Sequence, residues 1–401
     1  MPAHFAFLGT SGRVRRPQRF PPEVLLSVLG ANSGNLMFQY AASRIIDAPG
    51  RHIGLSDISY TDPRGLEGAQ ALIFPAANHL RTGVDWSGLN DYLAGADLPL
   101  VVLGLGAQAT AGATPGQTIT ALKSAPSVLR MVDILRDRAV FVSVRGAFSQ
   151  EVCAGLGLDR VEVLGCPSAL LNPDPGLGRS LAARLQAARQ MPSPRIAVTA
   201  AAPFEIALDT PRRKLERRLF GWAQDHDGLY VQQSGGLAAM QATSGQWHRI
   251  SEDDRASIAW VLDPEARSDA AGNPHAVWNH LRRHGRFYTS AADWIAEMGP
   301  LDVVLGSRAH GTMAALAAGT PGVLIAHDSR TSELAQTMHL PQLDAEAVLG
   351  AGTLADALSH VRFDGAAFDR WRTRTAATLT AAFDRLDIPV AGPVRALGTA
   401  P

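Results

Sequence analysis

Two arginines and one histidine directly follow predicted strands, at positions where a chain can bind an anion. Arg308 and His310 come after the apolar run 301–305, and Arg145 comes after the apolar run 140–144. Each turn leads into a predicted helix, whose first N–H groups and positive dipole end favour a negative charge. The Arg guanidinium is a rigid fork of donors that matches a carboxylate or a phosphate. The spacing predicts one anion-binding turn at Arg145 and another at Arg308, His310, Gly311 and Thr312.

The stretch 301–333 has the pattern of a βαβ unit. A buried strand is predicted at 301–305, a polar turn at 306–311 and a helix at 312–318, which Gly319 and Pro321 end. A second buried strand follows at 323–325. Ligands of open α/β sheets bind beyond the carboxyl ends of the strands. His310 and Glu333, which both follow strand ends, are therefore candidates for proton transfer.

Simpler interpretations of these residues remain open. Arg308 would pair with Asp302 or Asp328, and His310 would only cap the helix. Arg145 would pair with Glu151 or Asp137. Under these interpretations the two turns have a structural role and no ligand.

Uncharged polar residues follow other predicted strands. A first strand is predicted at 24–29, before the Gly- and Asn-rich turn 30–35, and further strands are predicted at 71–74 and 100–103. Such groups suit sugar hydroxyls, although a surface histidine at position 79 and a ligand-free helix start at 30–35 remain alternatives. The candidate saccharide-binding residues are Asn32, Asn35, Asn78, His79 and Gln108.

Several motifs together resemble the polysaccharide pyruvyltransferase family. The carboxyl-terminal block reads GSRAHGT at 306–312, AAGTP at 317–321 and DSR at 328–330, with Glu333 following. Upstream, SVR at 143–145, GLG at 155–157 and VEVLGCPS at 161–168 resemble the middle segment of that family. The turn at 30–35 resembles its amino-terminal N-x-G-[ND] element, with Asn35 where an Asp is common.

The resemblance implies an activity and a set of roles. Pyruvate from phosphoenolpyruvate would be joined to two hydroxyls of a saccharide as a cyclic ketal. Arg145 and Arg308 would hold the donor, while His310 and Glu333 would serve as acid and base in an order that the sequence does not give. The acceptor would be a polymer, a lipid-linked repeat unit or a nucleotide sugar. No cofactor and no metal are implied.

Strands alternate with helices along the whole chain, which predicts an α/β protein with parallel sheets. The resemblance and this pattern together predict two Rossmann-like domains that face a cleft, as in the GT-B arrangement. The domains are predicted at 1–175 and 190–401, with the last long helix, at 366–386, crossing back to the first domain. The segment 237–270, which contains Trp247, His248 and Trp260, is either a lid over the acceptor or an ordinary packed helical pair.

Composition restricts the remaining options. The 401 residues are 46% hydrophobic and 18% charged, with a formal net charge of zero, so no global basic field favours nucleic acid. The patch 5–8 is too short for a signal core, and no run is long enough for a membrane span. A cytoplasmic location is expected. Four basic residues form a solvated arm, a contact with an anionic membrane surface such as the inner face of the membrane, or a contact with an acidic polymer: Arg13, Arg15, Arg16 and Arg19.

Two other functions remain open at this stage. A GT-B glycosyltransferase would use the same anion turn for a nucleotide-sugar diphosphate, with Glu333 holding a ribose. A catalytically inactive saccharide-binding relative would keep the fold alone, because a fold by itself does not fix function.

Overall fold

The computed structural model of the chain describes residues 4–54, 65–109, 112–200, 211–234, 236–263 and 275–400. Within these residues, twelve strands form two six-stranded sheets in which every pair of neighbours is parallel. The strands are β1 (His4–Leu8), β2 (Gly50–Ile53), β3 (Ala69–Pro75), β4 (Leu100–Leu105), β5 (Ala139–Val144), β6 (Glu162–Val163), β7 (Ile196–Ala200), β8 (Leu229–Gln232), β9 (Gly285–Arg286), β10 (Val303–Gly306), β11 (Gly322–Ala326) and β12 (Gln342–Asp344).

Helices cover both sheets, and none in the described part of the chain is both long and apolar enough to cross a membrane. Short 3-10 helices lie at Pro17–Arg19, Pro167–Leu170 and Trp247–Arg249. The α-helices are α1 (Pro22–Val28), α2 (Asn35–Ile45), α3 (Ser87–Gly95), α4 (Pro115–Leu122), α5 (Pro126–Arg138), α6 (Ala147–Gly155), α7 (Leu177–Gln190), α8 (Pro211–Asp225), α9 (Gly236–Thr243), α10 (Glu252–Leu262), α11 (His275–His284), α12 (Ala291–Met298), α13 (Ala309–Ala317), α14 (Ser329–Thr337), α15 (Ala345–Gly350), α16 (Leu354–Ser359), α17 (Gly365–Asp384) and α18 (Gly392–Gly398).

Both sheets have a doubly wound strand order. The first sheet runs β2-β1-β3-β4-β5-β6, and the second runs β12-β11-β10-β7-β8-β9. The strand order reverses between β1 and β3 in the first sheet and between β7 and β10 in the second. These switch points are where open parallel sheets bind ligands, in the crevice beyond the strand carboxyl ends. The predicted α/β class with two Rossmann-like sheets is confirmed.

The two halves of the molecule are joined by apolar packing and by a returning helix. Leu36, Met37 and Phe38 of α2 belong to the same buried cluster as Val304 of β10 and Met313 of α13. Helix α17 returns from the second half to the first sheet, where the side chains in contact include Leu379, Phe383, Phe5, Phe7 and Ile73.

A fully buried arginine fixes this returning helix to the segment between the sheets. Arg372 of α17 is 0% exposed. It donates to the carbonyls of Ala169 (3.0 Å), Asp174 (2.7 Å) and Asn172. Burial lowers the pKa of its guanidinium to about 10. The boundaries 1–175 and 190–401 stay a prediction.

The predicted strand at 24–29 is wrong, because these residues belong to helix α1 and to the turn after it. Pro22 stands in the first helical turn, where a missing N–H costs nothing, and Glu23 favours the helix amino terminus. Leu25 and Leu29 are one helical turn apart and both are buried, at 6% and 2% exposure. The first strand is instead β1, which includes the apolar patch at 5–8.

Other boundaries also differ from the prediction. Strand β9 is only two residues long, Gly285–Arg286. Helix α13 begins at Ala309, so His310 and Gly311 lie in its first turn and not in the preceding loop. In the segment 237–270, α9, a 3-10 helix and α10 are present, while residues 264–270 lie outside the described part of the chain. The lid interpretation of this segment therefore stays a prediction.

Candidate active site

A cleft of about 1150 Å³ lies between the two sheets. Residues from both switch points line it, including Leu8 at the end of β1, Gly9 after it, and Ser307 and Arg308 after β10. The predicted arrangement of two Rossmann-like sheets facing a cleft is therefore confirmed in this protein. The strand order places each switch point at the carboxyl ends of its strands, and residues from both switch points line this one cleft.

The cleft is cationic although the chain as a whole is neutral. Four arginines line it, Arg81 and Arg145 from the first half and Arg212 and Arg308 from the second. Among the described residues that line the cleft there is no aspartate or glutamate. An anion that enters from solvent would therefore meet guanidinium groups from both sheets.

Arg145 is held rigidly at the end of β5. Arg145 is only 5% exposed. Its Nε donates to the carbonyl of Gly104 at 3.1 Å, and its Nη1 donates to Oδ1 of Asn78 at 2.8 Å. Because Asn78 follows β3, the contact ties neighbouring strand ends together. Asn78 thus orients the guanidinium group of Arg145 and also lines the cleft.

Glu333 lies behind Arg145 and links the two halves. Its Oε1 accepts from the backbone N–H of Ser149 at 2.7 Å, and its Oε2 accepts from the Ser149 hydroxyl at 3.1 Å. Ser149 lies in the first turn of α6, so the carboxylate from α14 acts as a helix cap supplied by the other half of the molecule. Burial raises the pKa of Glu333, and the bonds from Ser149 and the charge of Arg145 oppose that rise.

This geometry gives no support to Glu333 as the acid, the base or a ribose ligand. Both of its oxygens are engaged by Ser149, and the residue is not among the described residues that line the cleft. The sequence placed Glu333 after a strand end, but α14 carries it away from the opening and against α6. Its catalytic assignment remains untested by measurement.

Arg308 stands at the second switch point, just before α13. Its Nη2 donates to the hydroxyl of Ser234 at 2.7 Å, and Ser234 follows β8. Asp302, one of the acids considered as its partner, instead binds Arg195, with Arg195 Nη2 at 3.0 Å from Asp302 Oδ1. Arg308 is partly exposed, whereas Arg145 is buried.

His310 lies in the first turn of α13 and faces the first half. Its ring packs at 5.4 Å from the ring of Phe38 on α2. A side chain at Gly34 would lie 2.7 Å from His310 Nδ1, 2.6 Å from Gln233 Oε1 and 2.9 Å from Asn32 Oδ1. A side chain at Gly34 would therefore displace these side chains, so the junction is tightly packed. The turn 30–35 that precedes α2 and the turn that precedes α13 meet at this point.

His79 is a neutral group in this site. Its Nδ1 accepts from the backbone N–H of Ala77 at 2.9 Å, so Nε2 carries the proton. Burial lowers the pKa of His79 to about 3, and the nearby charges of Arg145 and Arg81 act in the same direction. Its ring lies between Phe74, at 4.9 Å, and Trp86, at 4.8 Å. At neutral pH it can donate a hydrogen bond from Nε2 but not supply a charge.

The opening of the cleft has an apolar side. Trp86 lines it together with Val84 and Leu89, and the Arg81 guanidinium lies 5.6 Å from the Trp86 ring. Val24 and Val28 of α1 also line the cleft. An indole face beside hydrogen-bonding groups suits the apolar face of a sugar ring.

The structure brings most of the predicted site residues together. Those that line the cleft are Arg145, Arg308, His310, Asn32, Asn35, Asn78 and His79. Gln108 is not among the lining residues, and neither are Gly311 and Thr312, which are buried in α13. A side chain added to Gly311 would overlap Thr199 of β7, so this part of α13 packs on the second sheet. Asn35 is partly engaged, since its Nδ2 donates to the carbonyl of Leu29 at 2.9 Å.

Several lining residues escaped the sequence analysis, among them Arg81, Arg212, Ser234 and His327. Arg212 lies in the first turn of α8, and Ser234 follows β8, a strand whose end carried no charged residue to mark it. Arg81 and His327 follow β3 and β11 within turns that were examined for other residues. His327 Nδ1 lies 3.1 Å from the carbonyl of Ile325, and its Nε2 lies 3.8 Å from Oδ2 of Asp328.

Several solved structures are similar to this chain at low sequence identity. The complex of MnaA from S. aureus with UDP has 10% identity and a TM-score of 0.42, over 95% of this chain and 97% of the other. UDP-N-acetylglucosamine 2-epimerase from Rickettsia bellii has 10% identity and a TM-score of 0.43, over 96% and 97%. HepE from Anabaena, in complex with UDP and glucose, has 11% identity and a TM-score of 0.38, over 94% and 100%. At these TM-scores the similarities carry no conclusion about the ligands of this chain.

Comparison of the sequence with protein-family models is more specific than comparison with solved structures. No curated protein matches the chain. The sequence model of the polysaccharide pyruvyl transferases matches residues 17–329, which span most of the chain and include Arg145, Arg308 and His310. The resemblance identified from the motifs is thus confirmed, and the chain belongs to the polysaccharide pyruvyl transferase family.

Proposed function

We propose that this protein transfers pyruvate from phosphoenolpyruvate to two hydroxyl groups of a saccharide as a cyclic ketal. The observation that carries the proposal is the cleft between the two sheets, which four arginines line and no described carboxylate does. Phosphoenolpyruvate has a phosphate and a carboxylate attached to the same carbon, C2, so a cluster of several arginines matches its charge. Family membership supports the same chemistry at the level of pyruvyl transfer.

The two central arginines have different tasks in this proposal. Arg145 is fixed by Gly104 and Asn78 before any ligand arrives, so it offers a charge in a set position. Arg308 is more open and, with the α13 amino terminus, binds the second anionic group of the donor. Positive groups held in advance stabilise the negative charge that develops on the departing phosphate.

Proton transfer falls to histidine in this site. The described lining residues provide His79, His310 and His327. His79 is neutral, with a pKa of about 3, which makes it a hydrogen-bond donor to a hydroxyl and a poor acid–base group near neutral pH. We assign proton transfer to His310, which lies where the two halves meet.

The atoms balance without a further reactant. The bond between C2 of the donor and the phosphate oxygen breaks, and two bonds form between C2 and the sugar oxygens. The methylene carbon becomes a methyl group by gaining one proton. Of the two protons that the sugar hydroxyls lose, one is matched by the new methyl proton and the other ends on the released phosphate.

The acceptor occupies the part of the cleft nearer the first sheet in this proposal. Asn32, Asn78 and His79 provide hydrogen-bonding groups, and Trp86 provides an aromatic face. The face of the sugar ring that lies on the indole then determines which sugar binds and which pair of its hydroxyls reacts.

A donor comparison tests the proposal. The protein is incubated with a panel of saccharides and either phosphoenolpyruvate or nucleotide sugars, and released phosphate and nucleotide are measured together with the product mass. We expect phosphate release that depends on a saccharide and on Arg308, with a product heavier by one pyruvate ketal. Arg195→Gln is a matched control, because Arg195 is exposed and pairs with Asp302 outside the cleft. Release of a nucleotide, without phosphate from phosphoenolpyruvate, would overturn the proposal.

A further inference from the structure

The segment 13–19 presents a cluster of positive charge that the cleft does not use. Arg13, Arg15, Arg16 and Arg19 are all exposed. Among the described residues, no ion pair and no side-chain hydrogen bond joins any of these four guanidinium groups. Some exposed arginines elsewhere are paired, such as Arg130 with Asp91 at 2.7 Å.

This segment is fixed to the body of the protein and is not a loose arm. The N–H of Val14 donates to the carbonyl of Thr289 at 2.9 Å, and Arg13 forms an antiparallel bridge with Ser290. Val14 is only 2% exposed, in the cluster that joins the two halves. The guanidinium groups are therefore carried by an anchored turn, which reduces the conformational entropy lost when they bind a flat or extended partner.

The basic turn leads directly to the opening of the cleft. The 3-10 helix Pro17–Arg19 is followed by α1, whose Val24, Ser27 and Val28 line the cleft. Val24 is 44% exposed, one of few large apolar side chains in the described residues with such exposure. An unpaired basic cluster thus continues into an apolar side chain at the rim of the cleft.

We propose that Arg13, Arg15, Arg16, Arg19 and Val24 form a docking surface for an anionic lipid bilayer. Basic side chains near an anionic membrane are attracted to its negative surface potential. A bilayer also provides an apolar environment just beneath its headgroups for Val24. A soluble acidic polymer would satisfy the arginines but would leave Val24 in water, so the combination favours the membrane.

Docking in this way would bring the rim of the cleft next to the membrane surface. If the protein acts as proposed above, this position favours an acceptor saccharide that is anchored in the bilayer. That consequence rests on the proposed function, whereas the docking surface does not.

Vesicle flotation tests the surface directly. The full chain is mixed with vesicles of phosphatidylcholine, with or without phosphatidylglycerol, at low and at high salt. The test variant combines Arg15→Gln, Arg16→Gln and Arg19→Gln, which keeps much of each side chain and removes its charge. The matched control combines Arg130→Gln, Arg136→Gln and Arg395→Gln, three exposed arginines that each pair with an aspartate.

We expect the wild type to float with the anionic vesicles at low salt and to be released at high salt, because screening weakens the attraction. The test variant should bind roughly a hundred-fold more weakly, at about five-fold for each charge. The control should bind nearly as the wild type does. Equal binding by the test variant and the wild type would overturn the proposal, and so would no binding of the wild type to anionic vesicles. Binding of the wild type to soluble dextran sulfate but not to anionic vesicles would overturn it as well.

A second measurement separates this inference from the proposed function. The thermal shift caused by phosphoenolpyruvate is recorded for all three proteins. We expect equal shifts, since the three arginines of the test variant do not line the cleft. A shift missing in all three would count against the proposed donor and leave the membrane result standing.

Discussion

Arg145 and Arg308 occupy matching places in the two sheets, yet their surroundings differ. Each follows a strand, precedes a helix and lines the same cleft. Arg145 is 5% exposed and is held by Gly104 and Asn78, with the Glu333 carboxylate nearby. Arg308 is partly exposed and has a hydroxyl partner in Ser234. The difference indicates that the fold buries and fixes Arg145, whereas Arg308 stays partly open to solvent.

The largest effect is expected for Arg145→Ala, which should lower both activity and stability. Pyruvyl transfer should fall by about a thousand-fold, since a charge held in advance for the transition state is lost. The free energy of unfolding should fall by about 1–3 kcal/mol, because Asn78 Oδ1 and the Gly104 carbonyl lose a buried donor. Phosphate release and urea unfolding measure the two changes. Unchanged stability would show that Arg145 is no more fixed than Arg308.

Arg308→Gln should affect activity alone. We expect transfer to fall by about a hundred- to a thousand-fold while the thermal midpoint stays close to that of the wild type, because the side chain is partly exposed. Phosphate release and a thermal melt are the measurements, with Arg195→Gln as the control. A large drop in the midpoint would remove the distinction between the two arginines.

Substitutions at Glu333 distinguish a structural link from a catalytic group. Glu333→Ala should destabilise the protein by about 1–3 kcal/mol, because the first turn of α6 loses its acceptor. Glu333→Gln should retain most of the activity, since an amide oxygen still accepts from the Ser149 N–H. If the glutamine variant folds normally but loses transfer, Glu333 is catalytic after all.

The same residue predicts a dependence of stability on pH. The folded-state pKa of Glu333 is raised by burial, so the protonated form is favoured in the folded protein. The contribution of this group is therefore present at low pH and is lost as the pH rises through the folded-state pKa. The unfolding free energy of Glu333→Gln relative to the wild type should rise from pH 4 to pH 7, as measured by denaturant titration. A flat difference would argue against the burial effect.

The contribution of His79 to stability should change with pH in the opposite direction. Its folded-state pKa of about 3 lies below the ordinary value of 6.5, so its contribution is present above pH 6.5 and is lost as the pH falls toward 3. The loss is at most about 1.4 kcal/mol per pH unit. His79→Gln should be less sensitive to acid than the wild type, while the pH profile of transfer between pH 6 and pH 8 keeps its shape. If the rate of transfer in this variant no longer changed with pH where the wild type does, His79 would be an acid–base group.

The smallest effect is expected for Ser234→Ala. This change removes the hydroxyl that accepts from Arg308 and leaves the guanidinium in place. The loss of one such bond is about 0.5–1.5 kcal/mol, or about two- to ten-fold in the KM for phosphoenolpyruvate. Steady-state kinetics measure it. A loss as large as that of Arg308→Gln would mean that Ser234 itself contacts the substrate.

Local patterns predicted two of the strand ends that line the cleft. Arg145 and Arg308 were identified because an apolar run followed by a charged turn is a short-range signal. The predicted strand at 24–29 is wrong for the same reason, because a short apolar run fits a strand or a helix. Pro22, in the first helical turn, favours the helix. The contact between Glu333 and Ser149 joins residues 184 positions apart, so no local pattern could reveal it.

The cleft itself depended on features that the sequence gives only in part. The predicted alternation of strands and helices implied two sheets, but the strand orders that direct both crevices to one place are a property of the whole chain. Arg212 and Ser234 join the site only because β7, β8 and β10 are neighbours. Their neighbours in sequence carry no signal of this role.

Calorimetric titration of the protein with phosphoenolpyruvate, beside UDP and GDP, tests the central claim most directly. We predict that phosphoenolpyruvate binds one site per chain, that Arg308→Gln abolishes the binding, and that Arg195→Gln does not. Neither nucleotide should bind with comparable affinity. Binding of UDP or GDP in the absence of any phosphoenolpyruvate binding would contradict the account and assign the arginines of the cleft to a nucleotide diphosphate.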